Sequence, residues 1–471
     1  MKYEAVIGIE THVQLKTKTK LFSAVGNDAR DAKPNTLASV ICMGFPGTLP
    51  YLNQAAVDLA IKAGHALNAE IATFSKFDRK HYFYPDLPKG YQITQYDQPI
   101  IGKGHVDING KKIGITRAHL EEDAGKSTHP KGSDYSLVDF NRAGTPLLEI
   151  VSEPDISSAA EAKAYAREIY LLMKYADVSD VDLYHGNMRF DVNISLRKPG
   201  EDLGIRSEVK NLNSFRSVER ATEYEIKRQT EILDKGEQVV QETRGWDENK
   251  GKTVSQRGKE HAHDYRYFPE PDLPPIHFTK EYISKIKKDL PIMPGELRAK
   301  FSKAGLAEDQ IEIILSNSSF VGLMTEAIEA RLSSKHIKKI GHYLVGEVMA
   351  WMENEEQDIP LGLEQLKQLL DMTDQGSLSA TAAKQVLVKM LDGHGDAETI
   401  AKAENLMQIR QTDELDKIVE EVIAKHPNVV EDIKAGQEKA IGFLVGQAMS
   451  LSQGRADPKK LQQLIAKKIG E

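Results

Sequence analysis

The sequence holds a single cysteine, Cys42, among 471 residues. One cysteine excludes an internal disulfide and a Cys-x-x-Cys metal knuckle, which fits a reducing cytosol. No stretch of about 18 apolar residues occurs, and the N-terminal segment lacks the apolar core of a signal peptide. The formal net charge of −8 argues against a protein that coats nucleic acid, although it leaves room for a local basic patch. We therefore expect a cytoplasmic protein.

Signature motifs of nucleotide and hydrolase sites are also missing. Gly125-Lys126-Ser127 resembles the end of a phosphate-binding loop, but Leu120 stands where that loop requires its first glycine. The sequence contains no Gly-x-Gly-x-x-Gly fingerprint, no His-Glu-x-x-His motif and no Gly-x-Ser-x-Gly elbow. Cys42 has no evident base beside it and is a poor candidate for a nucleophile. Any reaction here would therefore be electrostatic and metal-assisted.

Length and composition predict several domains. The chain is too long for one core, and 40% hydrophobic with 28% charged residues is typical of a globular protein. Strand and helix patterns mix up to about Pro275, and helical periodicity dominates from about Thr279 onward. We predict an α+β fold, with a mixed or antiparallel sheet in a catalytic domain (residues 1–290), a helical domain (291–398) and a small helical tail domain (399–471).

The first strand pattern lies in residues 5–15, where apolar and polar side chains alternate. Alternation places Glu10 and His12 on the same side of the strand, where they could share a divalent cation. An exposed polar face is the alternative interpretation.

Two later segments repeat this pattern. Residues 189–197 show the cleanest alternation in the sequence and place Asp191 in a polar row. The expected antiparallel neighbour, residues 205–213, carries Glu208 between Arg206 and Lys210. Two adjacent strands that each present an acid and a base are typical of the floor of a site, and cross-strand ion pairing is the alternative.

The densest group of charges is Arg117–Lys126, which reads RAHLEEDAGK. Residues 113–117 have a strand pattern, so we expect this group at the end of a strand. Charges of both signs packed so closely cost desolvation energy unless a metal or a phosphate shares the site. Alternation alone does not decide whether Glu121 or Glu122 faces such a site.

Together these residues predict a site for a divalent cation. Glu10, Asp191, Glu208 and one central glutamate would supply the hard oxygen ligands that Mg²⁺ prefers. His12 is an unusual ligand for magnesium and would also suit manganese.

Two other segments are rich in cations. Residues 75–92 interleave aromatic side chains with Lys, Arg and Pro, a pattern that could stack bases, line a polar passage or pin a loop onto a sheet. The last segment, residues 454–469, sets Arg455, Lys459, Lys460, Lys467 and Lys468 against one acid, Asp457. This excess of positive charge indicates contact with a phosphate backbone, and a solvated helix face is the alternative.

Several of these segments are similar to motifs of one family. The sequence resembles the B subunits of the aspartyl/glutamyl-tRNA amidotransferases from end to end. The matching motifs are Gly8–Leu15, Arg117–Lys126, Ser152–Asp155, Glu208–Phe215, Asp264–Pro275, Gly442–Gln447 and Gly454–Pro458.

The resemblance implies a cradle-like catalytic domain and a kinase step. Such a protein uses ATP and Mg²⁺ to phosphorylate the side-chain carboxylate carried by misacylated Glu-tRNA(Gln) or Asp-tRNA(Asn). Ammonia from the A subunit, which is an amidase, then displaces the phosphate, and the small C subunit ties the two larger subunits together. The sequence does not say which of the two tRNAs is the cellular substrate.

The resemblance also assigns residues. It makes Glu10, His12, Glu122, Asp191 and Glu208 the metal and phosphate site, and it alone favours Glu122 over Glu121. It implies that Lys80 and Lys89 line the route by which ammonia arrives. The positive charge of the last segment predicts that Arg455, Lys459 and Lys460 contact tRNA. Many relatives carry several cysteines that bind a structural zinc, whereas this chain keeps only Cys42, so we expect no zinc.

Overall fold

The computed structural model describes residues 2–258, 265–352, 358–409, 412–434, 437, 440–452 and 454–470. Asp264, the first residue of one motif named above, lies outside the described residues. The chain divides into two compact units, Met1–Pro294 and Gly295–Glu471. The first is built on a large sheet and the second is largely helical, which confirms the predicted α+β class. A further division between residues 398 and 399 stays a prediction.

The described strands and helices are numbered in chain order. Strands β1 to β15 are Glu4–Gln14, Phe74–Ser75, Asp78–His81, Tyr91–Thr94, Gly104–Ile108, Lys111–Glu122, Lys126–Thr128, Leu137–Asp139, Pro146–Ser152, Met188–Arg197, Ser207–Leu212, Glu242–Asp247, Lys252–Gly258, Phe268–Pro269 and Ile276–His277. Helices α1 to α16 are Gln54–Ala66, Ala159–Tyr175, Phe215–Asp234, Lys280–Lys288, Pro294–Lys303, Glu308–Ser316, Ser318–Glu329, Ser334–Tyr343, Met349–Trp351, Leu363–Asp374, Ala380–Leu391, Ala397–Ala403, Thr412–Lys425, Pro427–Lys434, Ile441–Leu451 and Pro458–Gly470.

Eleven of the described strands form one sheet in the first unit. Its order is β13-β12-β11-β10-β1-β9-β6-β4-β3-β14, with β5 paired to β6 off this path. The pairs are antiparallel except for β11 and β12, which run parallel. Strand β1 therefore lies near the middle, between β10 and β9, although those strands come more than a hundred residues later in the chain.

The two faces of β1 have opposite character. Ile7, Ile9 and Val13 are fully buried in the main core, where helices α1, α2 and α3 contact the sheet. Glu10 and His12 lie on the other face because successive side chains of a strand alternate. The same alternation buries Phe190, Val192, Ile194 and Leu196 of β10, as the sequence predicted.

Strand β6 is longer than the sequence indicated. We expected Arg117–Lys126 to follow a strand end, but β6 continues through the charged residues to Glu122. Ala118 and Leu120 are completely buried and alternate with His119 and Glu121. The first six residues of the charged group, Arg117–Glu122, therefore lie within a central strand, and adjacent Glu121 and Glu122 point to opposite sides of the sheet.

The second unit runs from α5 to α16. A π-helical turn, Leu344–Val348, joins α8 to α9. Residues 409–469 contain a core of their own, centred on the fully buried Val419, Leu444 and Leu461. Among the described residues, no helix of either unit combines the length and the apolar character that crossing a membrane would require.

A buried ion-pair network fastens α3 to β12 and β13 at one edge of the sheet. The Glu225 side chain is fully buried and accepts hydrogen bonds from Arg228 Nε (2.9 Å) and Thr253 Oγ1 (2.5 Å). Arg244 Nε lies 3.0 Å from the same carboxylate. Glu242 also pairs with both guanidinium groups, since its Oε1 lies 3.7 Å from Arg228 Nη1 and contacts Arg244 Nη1. Glu225 is the fully buried acid of this network, so its loss would leave two largely buried guanidinium groups with one carboxylate.

Replacing Glu225 with alanine should lower the free energy of unfolding by about 3–5 kcal/mol, because two largely buried guanidinium groups would then share one carboxylate, that of Glu242. Urea denaturation measures the change. The matched control is Glu219→Ala on the same helix, which removes only an exposed ion pair with Lys163 (2.7 Å) and should cost at most about 1 kcal/mol. Equal losses in the two variants would contradict a stabilising role for the network.

Candidate metal and phosphate site

Three carboxylates from three neighbouring strands converge on the polar face of the sheet. Glu10 of β1 lies directly opposite Asp191 of β10, and Asn193 of β10 lies opposite Glu208 of β11. One carboxylate oxygen from each of Glu10, Asp191 and Glu208 lies within 4.8 Å of the others. We call these three residues the acid triad.

Hydrogen bonds hold the acid triad in place. Asn193 Nδ2 donates to Glu10 Oε1 (3.1 Å), and the backbone N–H of Asn211 donates to Asp191 Oδ1 (2.8 Å). Lys210 Nζ lies 3.2 Å from Asp191 Oδ2 and 2.9 Å from Glu208 Oε1. The lysine ammonium thus supplies positive charge between two of the acids.

The electrostatics of the acid triad favour an added cation. Burial raises the pKa of the Glu10 carboxyl, and the nearby Glu149 and Asp191 carboxylates raise it further. Burial alone would lower the pKa of Lys210, but Asp191 and Glu208 hold it well above its ordinary range. A divalent cation would relieve the repulsion between these acids, and an all-oxygen set of three carboxylates fits Mg²⁺.

A second group lies beside the acid triad and is centred on Glu149. Strand β9 lies between β1 and β6, so Glu149 is directly opposite both His12 and His119. The Nε2 atom of His12 lies 3.6 Å from Glu149 Oε2, and His119 Nε2 lies 3.7 Å from Glu149 Oε2 and from Glu121 Oε2. Ligand atoms of His12, Glu121 and Glu149 lie within 4.8 Å of one another, and we call these three residues the histidine cluster.

Charges within the histidine cluster are strongly coupled. Burial alone would lower the pKa of the His12 imidazole, but the adjacent Glu149 carboxylate raises it to about 9. Burial alone would raise the pKa of Glu149, but His119 and His12 hold it well below its usual range. The metal-free cluster therefore contains an imidazolium paired with a carboxylate at neutral pH.

The structure brings some of the predicted site residues together and separates others. Glu10, Asp191 and Glu208 meet in the acid triad, and His12 lies in the neighbouring histidine cluster. Glu122, which the resemblance favoured, belongs to neither group: it is buried, pairs with Lys89 and accepts a hydrogen bond from the Ile93 backbone N–H (2.9 Å).

Two acids of the histidine cluster were not among the predicted site residues. Glu121 takes the place beside His12, since it points to the polar face and Glu122 does not. Glu149 lies in a largely buried strand, Pro146–Ser152. A charged residue within such an apolar strand is a signal that the sequence alone contains. The proximity of Glu149 to His12 depends on strand order, which no local pattern reveals.

The two lysines of the expected ammonia route have different surroundings. Lys80 lies over the Tyr265 ring (4.8 Å from Nζ to centroid). Burial alone would lower the pKa of Lys80, but Glu121 and other nearby groups raise it. Lys89 pairs with Glu122 and lies 5.1 Å from the Tyr91 ring centroid. Each lysine is thus associated with one of the two central glutamates.

The cations of the tail also differ from one another. Lys459 and Lys460 are exposed in the first turn of α16. Arg455 is half-buried: its Nε donates to the Ser452 carbonyl (3.2 Å) and an Nη donates to Asn405 Oδ1 (3.3 Å). Its guanidinium is already used to bond neighbouring segments of its own unit.

Binding of Mn²⁺ at the histidine cluster should release about one proton at pH 7, because His12 is protonated there and only a neutral imidazole binds metal. Affinity should increase as the pH rises toward the His12 pKa of about 9. Titration calorimetry in two buffers of different ionisation enthalpy measures the released proton. The control is His12→Gln, which has no imidazole; an unchanged proton release in that variant would contradict the assignment.

The fold and the site define a class: an α+β protein whose central sheet gathers carboxylates suited to a divalent cation, followed by a largely helical unit. Residues 5–284 match the family described as GatB/GatE catalytic domain, and residues 323–469 match the GatB domain. Both matches agree with the two-part organisation of the chain.

Full-length relatives narrow the class to a family. Three similar proteins are each named as the B subunit of an aspartyl/glutamyl-tRNA(Asn/Gln) amidotransferase. The protein of Trichodesmium erythraeum is 45% identical over 99% of this chain and 98% of its own length. Those of Thermoanaerobacter pseudethanolicus (46%) and Coxiella burnetii (47%) match over the whole of both chains.

This chain belongs to the family of B subunits of the tRNA-dependent amidotransferase, the ATP-dependent ligase of translation that transamidates misacylated Glu-tRNA or Asp-tRNA. Membership implies use of ATP, other amidotransferase subunits and a tRNA substrate. The resemblance seen in the sequence is confirmed.

Proposed function

We propose that the acid triad holds Mg²⁺, or Mn²⁺ in its place, and that this site phosphorylates the side-chain carboxylate of a glutamate or aspartate esterified to tRNA. The observation that carries the proposal is the convergence of Glu10, Asp191 and Glu208 within 4.8 Å on one face of the sheet. A bound divalent cation would neutralise charge on the phosphates of ATP.

The chemistry follows from the poor reactivity of a carboxylate toward ammonia. A side-chain carboxylate oxygen attacks the γ-phosphorus of ATP, the bond to the bridging oxygen breaks, and ADP leaves. Ammonia then attacks the acyl carbon and inorganic phosphate departs, leaving an amide. Because both reactants of the first step are anions, cations must align them. Lys210, which pairs with two acids of the triad, and Arg189, which lies opposite His12 in the strand register, would supply that charge.

The histidine cluster would act beside the metal. With its pKa raised to about 9, the His12 imidazolium can hold an anionic oxygen while it remains charged at neutral pH. The same residue becomes a metal ligand when it loses its proton, which would suit manganese.

Nitrogen would come from a partner, since the sequence carries no hydrolase elbow of its own. We propose that the amidase of the complex, the A subunit, releases ammonia and that the small C subunit ties this amidase to the present chain. Lys80 and Lys89 would line the route to the site. The assembly would act in the cytoplasm on Glu-tRNA(Gln), Asp-tRNA(Asn) or both.

The tail would contact the tRNA backbone. Lys459 and Lys460 are exposed and free to meet phosphates, whereas Arg455 would contribute mainly by ordering the segment that carries them. Removing both lysines should weaken tRNA binding and make it less dependent on salt.

The test uses the reconstituted complex with Glu-tRNA(Gln), γ-labelled ATP and Mg²⁺, without glutamine or ammonium. Label should accumulate on the aminoacyl-tRNA, because no ammonia is present to displace the phosphate. A non-catalytic scaffold predicts no labelled aminoacyl-tRNA. It also predicts that ATP with Mn²⁺ leaves the Tm of this chain unchanged, whereas a ligand bound by the native state must raise it.

A further inference from the structure

A polar pocket opens in the first unit where β1 ends. Its volume is about 680 Å³, and Gln14, the last residue of β1, forms part of its wall. Gln14 lies on the same face of the strand as Glu10 and His12. Four residues of extended strand span about 13 Å, so the pocket begins close to the acid triad.

Hydrogen bonds connect the pocket to the site. Gln14 Nε2 donates to Asp123 Oδ2 (3.1 Å), and Gln14 Oε1 accepts from Asn187 Nδ2 (3.0 Å). Arg189, which is paired with His12 in the register of β1 and β10, donates to the same Asp123 oxygen (3.1 Å). The buried Asp123 carboxylate therefore links Gln14, in the pocket wall, to Arg189, the strand neighbour of His12.

The pocket carries positive charge that is not neutralised by its own acids. Five cationic and three acidic side chains line it. Arg30 is paired with Asp28 (2.7 Å) and Asp180 (3.5 Å). Within the part of the chain that the structure describes, Lys18 and Lys126 have no acidic partner, and both are exposed. These two lysines are available to bind phosphate groups.

An aromatic side chain stands at the same pocket. Tyr184 is 91% exposed, which is unusual for so large a ring. Two hydrogen bonds stabilise the turn that carries Tyr184. Asp182 accepts them from the backbone N–H (3.0 Å) and the ring Nδ1 (2.5 Å) of His185. An exposed ring on a fixed turn is suited to stacking on a flat ligand such as a nucleic-acid base.

We propose that this pocket binds the 3′-terminal nucleotides of the aminoacylated RNA, with Tyr184 stacked on a base and Lys18 and Lys126 on phosphodiesters. The inference rests on the proposed function, because the esterified side chain must reach the acid triad from the RNA terminus. The distance from the pocket to Glu10 leaves room for that side chain and a phosphoryl group. A triphosphate carries more negative charge than two free lysines match, whereas RNA brings one charge per nucleotide.

The test measures binding of uncharged tRNA, without ATP, to the reconstituted complex. Two probes are compared: the intact tRNA and the same tRNA lacking its last three nucleotides. The wild type should bind the intact tRNA more tightly. Tyr184→Ala should weaken binding of the intact tRNA about tenfold and leave the truncated tRNA unaffected. Tyr184→Phe keeps the ring and should bind as the wild type does.

Two further variants complete the design. Lys18→Ala with Lys126→Ala should reduce the slope of log affinity against log salt by about 0.7 per lysine for the intact tRNA only. Tyr51→Ala, at another largely exposed tyrosine outside the pocket (73% exposed), is the matched control and should change nothing.

Three results would overturn the inference: equal binding of both tRNAs by the wild type, a Tyr184→Ala variant that binds the intact tRNA normally, or one that binds tRNA normally and has a raised Kd for ATP. The last result would assign the pocket to the free nucleotide. Because these measurements need no phosphoryl transfer, they can fail while the proposed kinase step holds. Conversely, absence of labelled aminoacyl-tRNA in the wild type would remove the kinase step and leave RNA binding at the pocket unaffected.

Discussion

Glu10→Gln should reduce kcat/KM for transamidation by about 10²–10³-fold, because it removes one charged ligand from the proposed metal site while keeping the shape of the side chain. The glutamine Oε1 can still accept the hydrogen bond from Asn193, so the strand geometry should persist. Steady-state assays with Glu-tRNA, ATP and glutamine measure the loss. The label-transfer assay without glutamine should show the same loss, since the defect precedes the use of ammonia.

The matched control is Glu4→Gln on the same strand and the same face. Glu4 is half exposed at the strand end, where it lies 3.5 Å from Arg197, and its replacement should leave the rate unchanged. A Glu10→Gln variant with full activity would contradict the metal assignment.

The same Glu10→Gln change should stabilise the metal-free protein at pH 7. The pKa of Glu10 is raised in the folded state, so the folded protein favours the protonated carboxyl and loses stability as the pH rises above the unfolded value of 4.5. A neutral glutamine avoids this loss. Lower activity with an equal or higher Tm would separate a functional role of Glu10 from a structural one.

Lys89→Met should separate the use of glutamine from the use of free ammonium, if Lys89 lines the ammonia route. The side chains of Lys89 and Glu122 are 4% and 3% exposed, so removing the lysine also leaves a buried carboxylate without its cation, at a cost of about 3–5 kcal/mol. The double variant Lys89→Met with Glu122→Gln removes both charges and should recover most of that stability.

Comparing glutamine with free ammonium as the nitrogen donor then distinguishes a defect in ammonia transport from a defect in the reaction itself. In the double variant, the rate with glutamine should fall more than the rate with a high concentration of ammonium salt, which does not need the route from the partner. Equal losses with both donors would contradict a channel role for Lys89. If the rates with both donors fall equally and no label is transferred to the aminoacyl-tRNA, Lys89 and Glu122 would instead act in the phosphorylation step.

Local sequence patterns were sufficient to predict the strands and their buried faces, but not the order in which the strands pair in the sheet. Alternation in residues 5–15 and 189–197 predicted which side chains enter the core, because burial of one face is a property of each strand by itself. The closeness of Asp191 and Glu208 also followed, since β10 and β11 are neighbours in sequence, whereas the pairing of β1 with β10 that adds Glu10 had no local signal. The placement of β9 between β1 and β6 had no such local signal, and Glu149 was missed for that reason.

The choice between Glu121 and Glu122 illustrates the same limit. Both glutamates follow a strand pattern, and the face that each occupies depends on how far β6 continues with its alternation intact. The buried Ala118 and Leu120 fix that alternation in the structure, and they place Glu121 beside His12 and Glu122 beside Lys89. The resemblance favoured the second glutamate, and its role as a metal ligand stays a prediction that the geometry does not favour.

Crystals soaked with Mn²⁺ would test the central claim most directly, because anomalous scattering locates the ion without reference to the activity. We predict one ion within about 2.0–2.6 Å of carboxylate oxygens of Glu10, Asp191 and Glu208. A second ion at the histidine cluster would agree with the account, whereas crystals that bind Mn²⁺ elsewhere and hold no ion at these three carboxylates would contradict the proposed site.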